Sequence, residues 1–153
     1  MRIFMFLIVS FFISFADEIL DENSLSPQEQ KYIKFDQNCT KGDSWSCSEI
    51  GMTHYKQGEL IPAYVYFDKA CKIEFGVGCE LKAFVLTTYE SYDEAFDIFK
   101  KACDNNSSYS CLNLAKLYDD GHGVDKNTSK ATELYLKACK LGDHGACNML
   151  NLR

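Results

Sequence analysis

The residues best equipped for chemistry are the eight cysteines, and a single pattern uses all of them. CTKGDSWSC (39–47), CKIEFGVGC (71–79), CDNNSSYSC (103–111) and CKLGDHGAC (139–147) each set two cysteines eight positions apart. Thiol pairs can bind metal, exchange disulfides catalytically or staple a fold. Structural zinc sites space their ligands about two to four residues apart and need four to converge, which this pattern does not offer. A thiol oxidoreductase would carry CxxC, and none occurs. No metal and no cofactor are therefore expected.

The staple is left. Cysteines eight apart on one uninterrupted helix would be separated by roughly 12 Å, well beyond the usual span of about 4.4–6.8 Å between bridged Cα atoms. The helix must stop between them, and Gly42, Gly76 with Gly78, Asn105 with Asn106, and Gly142 with Gly145 offer the breaks. Each pair then ties the last turn of one helix to the first turn of the next: Cys39 to Cys47, Cys71 to Cys79, Cys103 to Cys111 and Cys139 to Cys147. Closing a loop of this length is worth about 2.5 kcal/mol in the chain-entropy treatment.

Disulfides need an oxidising compartment, and the N-terminus supplies a route to one. MRIFMFLIVSFFISFA has one Arg, an apolar run and small residues at Ser14 and Ala16, followed by acidic DEILDE. Residues 1–16 read as a cleaved secretory signal, since the run is shorter than the roughly 20 residues that span a bilayer. Residues 17–25 follow as a flexible stretch, and no membrane span remains after cleavage. The expected location is a bacterial periplasm or the exterior. Loss of Arg2 takes the formal net charge from -6 to -7, which argues against nucleic acid as a partner, because phosphate binding relies on Lys and Arg.

The elements that place the cysteines are helices in an array. First cysteines fall at 39, 71, 103 and 139, a period of 32, 32 and 36 residues, in the range of stacked supersecondary units. Upstream of each lies an amphipathic segment: KYIKFDQNC, IPAYVYFDKAC, DEAFDIFKKAC and SKATELYLKAC. Four positions before the cysteine stand Phe35, Phe67, Phe99 and Tyr135, flanked in the last three units by Ala63 and Ala70, Ala95 and Ala102, Ala131 and Ala138. Small residues where helices approach, with an aromatic ring between them, make one buried face. Ser26 (SPQE) and Ser91 (SYDE) read as capping boxes. The last unit is longer by four residues, about one helical turn, which keeps the buried faces in phase.

The segment CLNLAKLYDDGHGVDKNTSKATELYLKACKLGDHGAC resembles the Sel-like repeats (SLR), relatives of tetratricopeptide repeats. The array is similar to the Helicobacter cysteine-rich proteins, the Hcp β-lactamase family, over roughly 26–153. The resemblance implies an all-α, right-handed αα-hairpin solenoid of Sel-like/TPR-like repeats, each hairpin stapled by a disulfide. Its units fall at about 26–44, 45–76, 77–108 and 109–144, with a capping helix at 145–153. Two departures stand out: the first two full units lack the GxGV turn, and Lys82 takes the place of Ile50 and Leu114.

The resemblance further implies a monomeric scaffold whose concave face, built from the first helix of each hairpin, holds a protein or peptide ligand. Carried over from the tetratricopeptide pattern, Trp45, Met52, Tyr55, Phe84, Tyr109 and Lys116 would line it. A peptidoglycan fragment is the other ligand such a scaffold would take, and the alternative the resemblance implies is penicillin binding or β-lactam hydrolysis, with a β-lactam as ligand. Serine enzymes of that type use SxxK, SDN and KTG, and none of these strings occurs. His54, His122 and His144 fall in separate repeats, so no catalytic residue is assigned. Finally, DQNCT, DNNSS and DKNTS share the form Asp-x-Asn-x-Ser/Thr, which resembles the extended acceptor site of bacterial N-glycosylation. Composition alone would give roughly 0.1 to 0.2 such matches, so Asn38, Asn106 and Asn127 are candidate acceptors.

Overall fold

The computed structural model describes residues 25–151, which form eight α-helices and, among themselves, no strand. The expected signal at 1–16, nearly all of the flexible stretch and the last two residues lie outside the described residues. The helices are α1 (Pro27–Thr40), α2 (Ser44–Lys56), α3 (Leu60–Ile73), α4 (Val77–Thr88), α5 (Tyr92–Asp104), α6 (Ser108–Asp120), α7 (Thr128–Lys140) and α8 (His144–Asn151). Each packs against its successor, and α2 also touches α4, so the hairpins stack side by side as a solenoid.

Helix starts follow local chemistry. Ser26 and Glu29 form the expected capping box, with Pro27 in the first turn. Asp43, Ser107 and Asp143, each four residues before a second cysteine, accept from the backbone of Ser46, Ser110 and Ala146 at 3.1, 3.2 and 2.8 Å. Ser91 departs from expectation and makes no side-chain cap. Its backbone N–H donates to the Leu86 carbonyl at 3.0 Å, and Glu94, which should have reached back to it, is held by Lys82 at 2.7 Å.

The corner CKIEFGVGC is also unlike its siblings. Elsewhere the three-residue connections turn on a left-handed middle residue, as at Gly42 (φ 94) and Asn106 (φ 66). Here the C-cap Glu74 is extended (φ -151), and Phe75 stands between it and the N-cap Gly76, under the Lys101 ammonium at 4.0 Å. Gly78 is not the breaker expected of it but a helical residue in close contact. A Cβ on it would stand 2.5 Å from the Ala70 methyl and 3.2 Å from the Cys71 nitrogen. Gly145 likewise lies within α8. The four extra residues of the last unit do not add a helical turn. The helices before and after them are 13 residues each, and the excess forms the long connection 121–127.

All four staples are present, with Cα atoms 4.7, 4.5, 4.6 and 4.8 Å apart along the chain. Cys39–Cys47 and Cys103–Cys111 are sealed, whereas Cys71 and both members of Cys139–Cys147 are half-buried. The core repeats the small-aromatic-small motif: Ala63, Phe67 and Ala70 on α3, Ala95, Phe99 and Ala102 on α5, Ala131, Tyr135 and Ala138 on α7. Phe67 lies over Gly51, where a Cβ would meet the ring at 2.6 Å. Ala83 and Ala115 take the same place in the following repeats and are fully buried.

Candidate functional site

Of the six residues expected on the concave face, three form a continuous row. Tyr55 at the end of α2 meets Phe84 of α4 edge-on, with ring centroids 5.9 Å apart. Phe84 meets Tyr109 of α6 at 6.4 Å. The row crosses three successive repeats, one ring from each of α2, α4 and α6. Tyr109 is anchored rather than free: its ring also packs edge-on against Phe99 at 6.4 Å, and burial, with Glu80 and Tyr55 nearby, pushes its hydroxyl pKa up to about 12. Met52 packs against the Ala63, Phe67 and Val85 cluster, and Lys116 is exposed.

Trp45 lies apart from the row. It is 60% exposed, at the start of α2, with one edge against Phe35 of α1 at 5.2 Å, and Lys31 stands 5.3 Å from the Phe35 centroid. The neighbouring corner approaches it, since Ser44 donates to Glu74 at 3.1 Å. Exposed Ile73 and Val77 belong to that same corner.

Two polar clusters were not visible in the sequence. His54 lies between Glu59 (Nδ1 to Oε2 2.6 Å) and Tyr32 (Nε2 to Oη 3.1 Å), with its ring stacked on Tyr66 at 5.5 Å. Tyr66 donates to Asp36 at 3.4 Å, and burial, then Tyr32 and Asp36, push its pKa up to about 12. Tyr32 and His54 stand seven residues from their cysteines, in the register where Phe96 and Tyr118 pack edge-on one repeat pair later. Alignment on the cysteines would have exposed this exchange of apolar for polar partners.

The second cluster explains Lys82. Its ammonium bonds Asp68 at 2.8 Å and Glu94 at 2.7 Å, and Asp68 also holds Lys72 at 2.6 Å. Burial works against its charge, but the carboxylates prevail and raise its pKa. The slot that is apolar in neighbouring repeats thus holds an ion network joining α3, α4 and α5.

The three acceptor candidates occupy different settings. Asn38 lies inside α1 beside sealed Cys39. Asn106 sits at a corner, exposed and left-handed. Asn127 is the N-cap of α7, with Oδ1 accepting from the Lys130 amide at 2.9 Å.

Comparison with known proteins agrees with this architecture. The family model "Sel1 repeat" matches residues 88–107 and 108–143. The boundary falls between Cys103 and Cys111, so that disulfide joins one matched unit to the next. Cytochrome c oxidase assembly factor 7A of Xenopus laevis is 28% identical over 121 residues, covering 70% of this chain and 52% of that protein. HcpC of Helicobacter pylori, a candidate beta-lactamase, is 44% identical over 41 residues, 27% of this chain and 14% of HcpC. The chain thus spans about half the length, or less, of these curated relatives. Among solved structures, cysteine-rich protein B of Helicobacter pylori superposes with a TM-score of 0.60 at 26% identity, over 79% of this chain and 96% of that one. The Sel1-repeat model thus accounts for residues 88–143, and the fold over most of the chain is that of the Sel1-like helical solenoids, with four disulfides across alternate connections of the described helices.

Proposed function

We propose that the chain is an exported, monomeric interaction scaffold that holds an extended peptide segment of a partner protein against the face of α2, α4 and α6. The observation that carries this reading is the ring row Tyr55, Phe84 and Tyr109, pre-ordered by packing across three helices. Rigid aromatic side chains give large contact area at little entropic cost, which suits them as anchors. Trp45 extends the surface at the N-terminal side, and Lys116 supplies a cation for a carboxylate of the ligand. Sel1 repeats typically serve protein interaction, which supports the choice of partner class. Four disulfides support an oxidising, extracytoplasmic location, and no helix among the described residues is long and apolar enough to cross a membrane.

The test is capture from the exporting compartment by the immobilised oxidised protein, followed by affinity measurement on the synthetic peptide so found. Trp45→Ala and Tyr55→Ala should each weaken binding by about tenfold or more, the effect expected of interface anchors. Unchanged affinity in both variants would overturn the placement.

A second reading, β-lactam binding or hydrolysis, draws on the likeness to HcpC and on the carboxylate–imidazole–phenol chain of Glu59, His54 and Tyr32. In such a chain the imidazole takes the phenolic proton while the carboxylate steadies the resulting charge. Turnover of a chromogenic cephalosporin that disappears in His54→Gln and in Tyr32→Phe would favour this reading over the scaffold.

A further inference from the structure

The pattern Asp-x-Asn-x-Ser/Thr occurs three times, and the fold treats its three copies unequally. In 36–40 the whole pattern is helical: the Asn38 carbonyl accepts from Lys41 and Asp43 at 3.0 and 3.1 Å, and the Thr40 hydroxyl donates back to Gln37 at 2.7 Å. Asn38 is also half-buried, beside a cysteine with no exposure. In 104–108 the first three residues are exposed, but Ser107 and Ser108 are half-buried, and Ser107 donates to Glu80 of α4 at 2.5 Å. In 125–129 every residue is exposed: Asp125, Lys126, Asn127, Thr128 and Ser129 run from the long connection into the first turn of α7. The cap uses Oδ1 of exposed Asn127, and among the described residues Nδ2 makes no hydrogen bond.

We propose that Asn127 is an N-glycosylation site, with Asn106 a secondary one and Asn38 excluded by the fold. An acceptor needs its amide nitrogen, the acidic residue two positions before and the hydroxyl two positions after to be reachable together by a transferase, and only 125–129 presents all three on the outside. The co-substrate is an oligosaccharide carried on a polyprenyl pyrophosphate. Asn127 Nδ2 attacks its anomeric carbon, the bond from that carbon to the pyrophosphate oxygen breaks, and the amide proton passes to a base of the transferase as the lipid pyrophosphate departs. The glycan then stands on the loop between α6 and α7. That loop is the longest connection between described helices, and the disulfide corners lie at other connections.

The test is mass spectrometry on the protein isolated from the cells that make it. Peptides covering 125–129 should carry a glycan mass, those covering 104–108 the same mass at lower occupancy, and those covering 36–40 none. Ser129→Ala keeps the Asn127 cap, so the fold remains, and should lose the increment at 125–129 entirely. A bare Asn127 in the cellular protein, or an increment that survives Ser129→Ala, overturns the proposal whatever the other positions carry.

Discussion

The four staples close loops of identical size, which makes them an internal control on what a disulfide does for this fold. Each joins cysteines eight residues apart, so the chain-entropy term is the same for all, about 2.5 kcal/mol. Differences in the cost of removal must then come from the folded state. Cys39–Cys47 and Cys139–Cys147 both sit at the last helix pair of an end of the described array, but the first pair is fully buried and the second half-exposed. Replacing both cysteines by Ala at a sealed site removes two sulfur atoms from close-packed surroundings and leaves a void, which adds about 1–2 kcal/mol. At the half-exposed site water fills the space and the entropy term stands nearly alone. Cys39→Ala/Cys47→Ala should therefore lose about 4 kcal/mol and Cys139→Ala/Cys147→Ala about 2.5 kcal/mol. Urea unfolding of the otherwise oxidised protein, followed by circular dichroism, measures both. Equal losses, or a larger loss at the half-exposed pair, would refute the separation of loop closure from packing.

Four further outcomes follow from the same geometry. On graded reduction, Cys139–Cys147 and then Cys71–Cys79 should be alkylated before the two sealed pairs, read by mass tagging. Gly78→Ala should destabilise by about 1–3 kcal/mol in thermal or urea unfolding, because the new methyl would meet Ala70 and the Cys71 backbone, neither of which can swing away. Lys82→Met keeps the aliphatic stem and deletes the ion network, and should cost about 1–2 kcal/mol at neutral pH. Burial works to raise the Asp68 pKa, but hydrogen bonds from Lys72 and Lys82 hold it below 3.8; its contribution is present above 3.8 and lost as pH falls through the folded value, so the gap between wild type and Lys82→Met should narrow in acid. The Glu29 pKa is lowered by its hydrogen bonds with the Ser26 hydroxyl and backbone N–H, so the cap of α1 is complete above 4.5 and lost as pH falls through the lowered folded value; Ser26→Ala should weaken that dependence, leaving the share of the backbone N–H, and speed exchange of the Glu29 amide.

The sequence foretold most clearly the features that depend on spacing. The corners, the pairing of the cysteines and the Ala-aromatic-Ala faces repeat at a fixed register, and a short-range rule suffices for each. It was less clear where a residue's partner arrives from a distant helix. Ser91 has the capping pattern in full, yet Glu94 is drawn away by Lys82, a residue whose other partner lies on α3. Tyr32 and His54 share an offset from their cysteines, but Glu59 and Tyr66 lie outside that register, and three helices must pack before the four meet. For the proposed ligand face, the repeat pattern placed Tyr55, Phe84 and Tyr109 on one side but could not tell depth. Trp45 and Tyr109 each pack edge-on against the equivalent ring, Phe35 or Phe99, but Tyr109 also has Phe84 of the preceding repeat beside it, while Trp45 stands out in solvent. The four residues of GxGV show the same limit: their number suited one helical turn, but the glycines at 121 and 123, both with positive φ, turn them into a loop.

The staples also sort the connections of the solenoid by what happens when one is cut. At 41–43, 74–76, 105–107 and 141–143 the turn lies between two bonded cysteines. A protease that hydrolyses one bond there produces two new termini but no separate fragment, because the sulfur bridge carries the covalent path around the gap. At 57–59, 89–91 and 121–127 no such bypass exists, and one hydrolysed bond severs the molecule. A chain released among proteases would thus survive nicking at four of the seven turns between its described helices, and its lifetime would be set by the remaining three, of which 121–127 is the longest.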